Sequence, residues 1–188
     1  MALWLIRHPR PEQADGRCYG RSDLGVSDQA LTEAGQALRA ALPAGVPLYS
    51  SPLQRCARLA EVLAPGQVLY DDRLMEMDFG CWENRLWQDI NPAEVDAWTQ
   101  DLRHYRPGGG ESLWQMTGRL QSFCQTLADA GIRDAVLVCH AGVIRLLLAL
   151  SQGLPPETAA QGMHQIGYGT MLTLSSDWLG REKPCLAP

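Results

Sequence analysis

Short apolar runs alternate with stripes of helical period along most of this chain. The first run, Leu3-Trp4-Leu5-Ile6, has the length of one buried strand and leads straight into Arg7-His8, after which Pro9 removes a backbone donor. Beyond a polar loop over 11–26, Leu31, Ala34, Leu38, Ala41 and Leu42 recur at helical spacing, with Ser27 or Asp28 placed to cap and Pro43-Ala44-Gly45 to stop. Leu48-Tyr49-Ser50-Ser51 reads as a short strand turning into a helix that starts with Pro52. That helix carries Leu53, Cys56, Ala57, Ala60 and Leu63 on its inner face and ends at Pro65-Gly66. Val68-Leu69-Tyr70 is the next strand.

From Asp71 to Gly110 the pattern loosens. Residues 74–80 suit a turn or strand edge, 86–102 a helix and 104–110 a loop rich in Pro and Gly. Leu113, Met116, Leu120, Phe123 and Leu127 then mark a helix over 111–130, with Gly131 at its C-cap. Ala135–Cys139 is the best strand, running into His140-Ala141-Gly142 and an apolar helix over 143–150, and 171–174 supplies a last strand. This alternation predicts an α/β fold: a three-layer α/β/α sandwich, its sheet mostly parallel, with helices on both faces. The chain reads as one domain over 1–188, with a cap inserted around 75–112.

Composition changes little in that picture, at 46% hydrophobic and 20% charged residues. A net charge of −5 argues against nonspecific binding to nucleic acid or acidic membranes; separately, a small-molecule partner and a monomer or homodimer are expected. The cysteines at 18, 56, 81, 124, 139 and 185 show neither a CxxC spacing nor the density of a disulfide scaffold. With no basic leader at the start, a cytoplasmic location is expected.

Chemistry is concentrated at strand ends, where open α/β sheets bind ligands. Arg7 and His8 close the first strand. His140 closes the best one, beside small residues that open a helix, whose free N–H groups and partial positive charge would suit a phosphate. The competing reading of His140 is a satisfied core histidine. Arg55 falls in a first helical turn, where its planar fork could grip phosphate oxygens, and Arg58 is its rival. His104 and His164 lie in no ligand pattern.

Five blocks then carry a resemblance: Leu5-Ile6-Arg7-His8; Ser50-Ser51-Pro52-Leu53-Gln54-Arg55-Cys56-Ala57; Leu74 to Glu83 (LMEMDFGCWE); Gly109-Gly110-Glu111-Ser112; and Val138-Cys139-His140-Ala141-Gly142. In this order the chain resembles the histidine phosphatase (phosphoglycerate mutase-like) superfamily, over about residues 3 to 174. Cys18-Tyr19-Gly20-Arg21-Ser22-Asp23 and Phe79-Gly80-Cys81-Trp82-Glu83 are most similar to its α-ribazole phosphatase branch. The resemblance implies phosphomonoester hydrolysis through a phosphohistidine, on α-ribazole 5′-phosphate or adenosylcobalamin 5′-phosphate in cobalamin nucleotide-loop assembly. His8 would be the nucleophile, Arg7, Arg55 and His140 the pocket around the phosphoryl oxygens, and Glu76 the proton donor to the leaving alcohol. Such a mechanism rests on positioning and cationic clamping and needs no metal or cofactor.

Ala141 would approach the phosphate, while Tyr19, Arg21 and Trp82 would line the cap and select the leaving group, leaving the tryptophans at 87, 98 and 114 as packing residues. The chain departs from the family's Arg-His-Gly-Glu-Thr, reading Arg7-His8-Pro9-Arg10-Pro11, which removes a backbone donor and a hydroxyl. A broad-specificity phosphatase, a phosphoglycerate mutase or a phosphate-binding regulatory module without turnover are the alternatives.

Overall fold

The computed structural model describes residues 1–160 and 166–180; His164 and Cys185 lie outside them. In chain order the regular elements are β1 (Ala2–Arg7), α1 (Asp28–Arg39), β2 (Leu48–Ser50), α2 (Gln54–Leu63), β3 (Val68–Tyr70), α3 (Pro92–Gln100), α4 (Leu113–Asp129), β4 (Ala135–Cys139), α5 (Ala141–Ser151) and β5 (Met171–Ser175). The strands form one sheet in the order β3-β2-β4-β1-β5. All neighbours are parallel except β1 and β5, which run antiparallel.

Alternation along the strands builds the layers, because successive side chains leave opposite faces of a sheet. Leu3 and Leu5 of β1 join Ala135, Leu137 and Cys139 of β4 in a core against α4 and α5. Ile6, Val136 and Val138 point the other way, into a core with Leu31, Leu38, Cys56 and Leu59 of α1 and α2. The expected three-layer α/β arrangement is therefore present.

Three local expectations change. Helix α2 begins at Gln54 rather than Pro52, since the Leu53 carbonyl accepts from both Cys56 N (2.8 Å) and Ala57 N (2.9 Å) and is the first helical acceptor. The helix expected over 86–102 is broken: Trp87–Asp89 make one 3₁₀ turn, and α3 starts afresh at Pro92. Asn91 causes the restart, its side chain accepting from Ala93 N (3.0 Å) while Pro92 has no N–H to continue an earlier helix. Helix α4 starts at Leu113, where Ser112 and Gln115 satisfy each other's backbone N–H in a capping box and free Glu111 for other partners.

The register decides where chemistry can gather. Arg7 pairs with Cys139 at the carboxyl ends of β1 and β4, so the residues that follow, His8 and His140, leave the sheet side by side. β2 lies on the other side of β4, with Ser50 opposite Val138, and delivers Ser51 and then Arg55 to the same rim.

Leu137 is fully buried in the central strand. We expect Leu137→Ala to cost about 2–5 kcal/mol, the range for emptying a well-packed leucine site. It would be read as a lower urea midpoint at unchanged slope. A loss under about 1 kcal/mol would show that the layers close over the gap.

Candidate active site

His8 is held from both sides of β1. Its N–H donates to Cys139 O (3.1 Å), and Gly169 N donates to Arg7 O (3.2 Å) and His8 O (3.1 Å). The ring is almost wholly buried. Nδ1 lies 2.6 Å from Pro9 O, and a carbonyl can only accept. Nδ1 therefore carries the hydrogen of the neutral ring and Nε2 keeps the lone pair. Burial first, then the Arg55 charge, lower the pKa of His8 to about 3, with Arg7 adding to the shift and the Pro9 carbonyl opposing it. At neutral pH the ring is an uncharged imidazole with a fixed tautomer.

Arg55 is also fully buried. Its Nε donates to His140 Nδ1 (3.3 Å), Nη1 to Ser22 O (2.6 Å) and Nη2 to Gly20 O (2.5 Å). Three of the five N–H groups of a guanidinium are thus engaged, and two remain for the cavity that Arg55 lines. Because His140 Nδ1 accepts from Arg55, its Nε2 is the donor, to Ser51 Oγ (2.8 Å). Burial and then the Arg55 charge hold the His140 pKa well below the usual histidine range. Its ring centroid is 5.1 Å from that of His8. His140, like Arg55, has no exposed surface, and it is not among the residues that line the cavity. Its two ring nitrogens are engaged by Arg55 and Ser51.

Arg7 places its guanidinium 3.6 Å from the ring centre of Tyr168 and donates from Nη1 to Ile166 O. Its Nε is buried and has no partner. Tyr19 lies beside Arg55, 5.6 Å from guanidinium carbon to ring centre. The two tyrosine hydroxyls meet at 2.6 Å, so the pair spans the two arginines.

Glu76 occupies the place expected for a phosphate. Its Oε2 accepts from Gly142 N at the start of α5 (3.0 Å), and its Oε1 accepts from Met77 N (3.1 Å). A helix N-terminus favours a carboxylate as it does any anion. A Cβ at position 142 would fall 2.3 Å from Glu76 Oε1, so glycine is what lets the carboxylate sit there. Ala141 and Gly142 line the cavity beside it.

These groups face an open cavity of about 460 Å³. Arg7, His8, Arg55 and Glu76 line it together with an aromatic cluster of Phe79, Trp87 and Trp98. Of the residues expected to select the leaving group, Tyr19 lines the cavity and two do not. Trp82 is fully buried, packed against Trp98 and Tyr105 with its indole N–H donated to Glu94 Oε2 (2.7 Å). Arg21 turns to Glu111 (3.5 Å), which also holds Arg119. Arg10 pairs outward with Asp15.

Trp87 and Trp98, expected to be packing residues, take that place. In one continuous helix they would stand three turns, about 16 Å, apart. The break at Asn91-Pro92 folds their rings to a near-parallel 6.3 Å, and that dipeptide was the available signal. Among the described residues no group of three or more His, Cys, Asp or Glu is placed to hold a metal ion, and no helix is long and apolar enough to cross a membrane.

Residues 3–177 match the histidine phosphatase superfamily (branch 1). The chain is 30% identical to the adenosylcobalamin/alpha-ribazole phosphatase of Escherichia coli K12, over 84% of this chain and 82% of that one. It is 29% identical to a probable phosphoglycerate mutase GpmB of Cronobacter sakazakii, over 95% and 90%. Among solved structures, the alpha-ribazole phosphatase of Shigella flexneri superposes with a TM-score of 0.80 at 27% identity, covering 92% of this chain and 89% of its own.

Two outcomes follow from the geometry. His8 binds a proton near pH 6.5 when unfolded and only near pH 3 when folded, so between these values the unfolded state holds the extra proton. Stability should fall as pH drops from 6.5 towards 3, by up to about 1.4 kcal/mol per pH unit from this residue. Urea midpoints at pH 7, 6 and 5 should therefore decline less for His8→Gln than for wild type, and equal declines would contradict the assignment. At an ordinary helical site Gly→Ala gains up to about 1 kcal/mol. Here Gly142→Ala should lower the melting temperature, because the new methyl displaces Glu76; a raised melting temperature would place the carboxylate elsewhere.

Proposed function

As a member of the histidine phosphatase superfamily (branch 1), this chain, we propose, hydrolyses phosphomonoesters through a phosphohistidine formed on Nε2 of His8. The observation that carries the reading is a neutral imidazole, its tautomer fixed by Pro9 O, in one cavity with Arg55 and Arg7, whose charges add to burial in lowering its pKa. The partnerless buried Nε of Arg7 and the two uncommitted N–H groups of Arg55 suit a phosphoryl group that lies between them.

In the first step the Nε2 lone pair forms an N–P bond as the ester P–O bond breaks. The leaving oxygen takes a proton from the Glu76 carboxyl. Water then attacks phosphorus, gives its proton to Glu76, and the N–P electrons return to Nε2. The two half-reactions share one acid–base group, as covalent catalysis with a single flanking carboxyl requires. The arginines hold charge that the transferred group carries throughout. His140 acts at one remove, through Arg55.

The substrate we favour is α-ribazole 5′-phosphate or adenosylcobalamin 5′-phosphate. Support comes from the relatives named for those esters and from the wall of Phe79, Trp87 and Trp98, which offers flat apolar surface to a ring system. A cytoplasmic setting belongs to the same proposal; Cys18, Cys56, Cys81 and Cys139 are free thiols, which suits a reducing compartment.

The test is phosphate release from a panel containing an aryl phosphate, α-ribazole phosphate and 3-phosphoglycerate, with no metal added. We expect α-ribazole phosphate to give the highest kcat/KM, and His8→Ala to lose activity on the order of 10³-fold or more. Isomerisation of 3-phosphoglycerate faster than release would make the protein a mutase. Equal release by wild type and His8→Ala would remove the phosphohistidine, and binding without release would leave a regulatory module.

A further inference from the structure

Loop 16–22 carries two of the carbonyls that hold Arg55, yet it belongs to no strand of the sheet. Its first half is joined to residues 84–87 by backbone bonds: Cys18 N to Arg85 O (2.9 Å), Asn84 N to Cys18 O (2.7 Å) and Trp87 N to Gly16 O (2.9 Å). Beyond Cys18 this pairing stops and a side chain replaces it. Glu83 Oε1 accepts from Arg21 N (2.8 Å) and Phe79 N (3.0 Å), and Oε2 accepts from Gly20 N (3.0 Å) and Ser22 N (2.9 Å). The Ser22 hydroxyl donates to Oε2 as well. Three successive N–H groups of the loop thus converge on one half-buried carboxylate.

The peptide between Gly20 and Arg21 shows what this does. In a trans peptide the N–H and C=O point in opposite directions. Its N–H is bound by Glu83, so its carbonyl is turned away, towards Arg55 Nη2 (2.5 Å). Glu83 and Arg55 therefore grip opposite sides of one peptide plane. The approach is close enough to exclude any side chain at position 20, where a Cβ would fall 1.7 Å from Met77 O and 2.8 Å from Glu83 Oε1.

We infer that Glu83, which does not line the cavity, is a positioning residue for the phosphate site: it fixes the Gly20–Ser22 carbonyls and through them aims the free N–H groups of Arg55. This rests on the reading that Arg55 clamps a phosphoryl group. Glutamine at position 83 would keep the size but set an NH₂ against a nest of donors, leaving the loop without its anchor. Aspartate would keep the charge with a shorter reach.

The test is a double-mutant cycle of Glu83→Gln with Arg55→Ala, read by calorimetric affinity for inorganic phosphate and by kcat/KM for an aryl phosphate. With Arg55 present, Glu83→Gln should weaken both by about ten- to a hundredfold, the scale of misplaced charged hydrogen bonds. In the Arg55→Ala background the same change should alter either by no more than about twofold, because no guanidinium is left to aim. Glu83→Asp should recover part of the phosphate affinity. A loss of equal factor in both backgrounds would make Glu83 merely structural and overturn the inference, as would an unchanged phosphate affinity. If Glu83→Gln does not fold, Ser22→Ala replaces it in the cycle, with a loss of about two- to fivefold that must vanish without Arg55. Wild-type release with no Glu83 effect sinks the inference alone, whereas wild-type protein that neither binds nor releases phosphate sinks the phosphatase reading and the inference with it.

Discussion

A guanidinium withdrawn wholly from water costs several kcal/mol unless its donors find partners of good geometry. Arg55 meets that condition by recruiting three unrelated parts of the chain: the ring of His140 after β4, and the carbonyls of Gly20 and Ser22 in the long first loop. Each partner is constrained in return. His140 must leave Nδ1 unprotonated, so its other nitrogen must donate to Ser51. The loop must keep its carbonyls inward, so its N–H groups must turn outward to Glu83. The same buried charge lowers the proton affinity of both histidines. Much of the site is the set of conditions under which Arg55 can stay buried.

Pro9 departs from the family pattern by removing one backbone group while leaving another in use. A proline removes the backbone N–H, which would weaken any phosphate contact made by that donor. The carbonyl of Pro9 remains, and it accepts from His8 Nδ1. That single bond decides which nitrogen holds the lone pair. Arg10, a candidate to make up lost charge at the pocket, pairs with Asp15 at the surface instead, and the arginines that line the cavity are Arg7, Arg17, Arg55 and Arg145, without residue 10.

Legibility in the sequence followed the range of the interactions. Period-two and period-3.6 patterns reported the faces of β1, β4 and α4, since local alternation and core packing agree there. Arg7, His8, Arg55 and Glu76 could be picked out through motif blocks in order, and the fold brings all four to one cavity. What stayed hidden depended on how loops return to the sheet. Nothing near His140 announces that both its nitrogens are committed, one to Ser51 just after β2 and the other to Arg55 in α2. Tyr168 was not singled out, because only the antiparallel return of β5 lays it over Arg7. Trp82 and Trp87 stand five residues apart, and the local fold sends the first inward and leaves the second partly exposed on the cavity wall.

The pairing of β1 with β5 has a bearing on how the protein comes into being. Arg7 N donates to Thr170 O, Gly169 N reaches the Arg7 and His8 carbonyls, and Arg7 Nη1 reaches Ile166, a separation of 159 residues. Contacts so distant along the chain pay their loop-closure entropy before they return anything, and such pairings form late. During synthesis the segment that holds His8 emerges well before β5, the strand that fixes its backbone. A nascent chain therefore carries His8 long before it carries the contacts that fix its backbone.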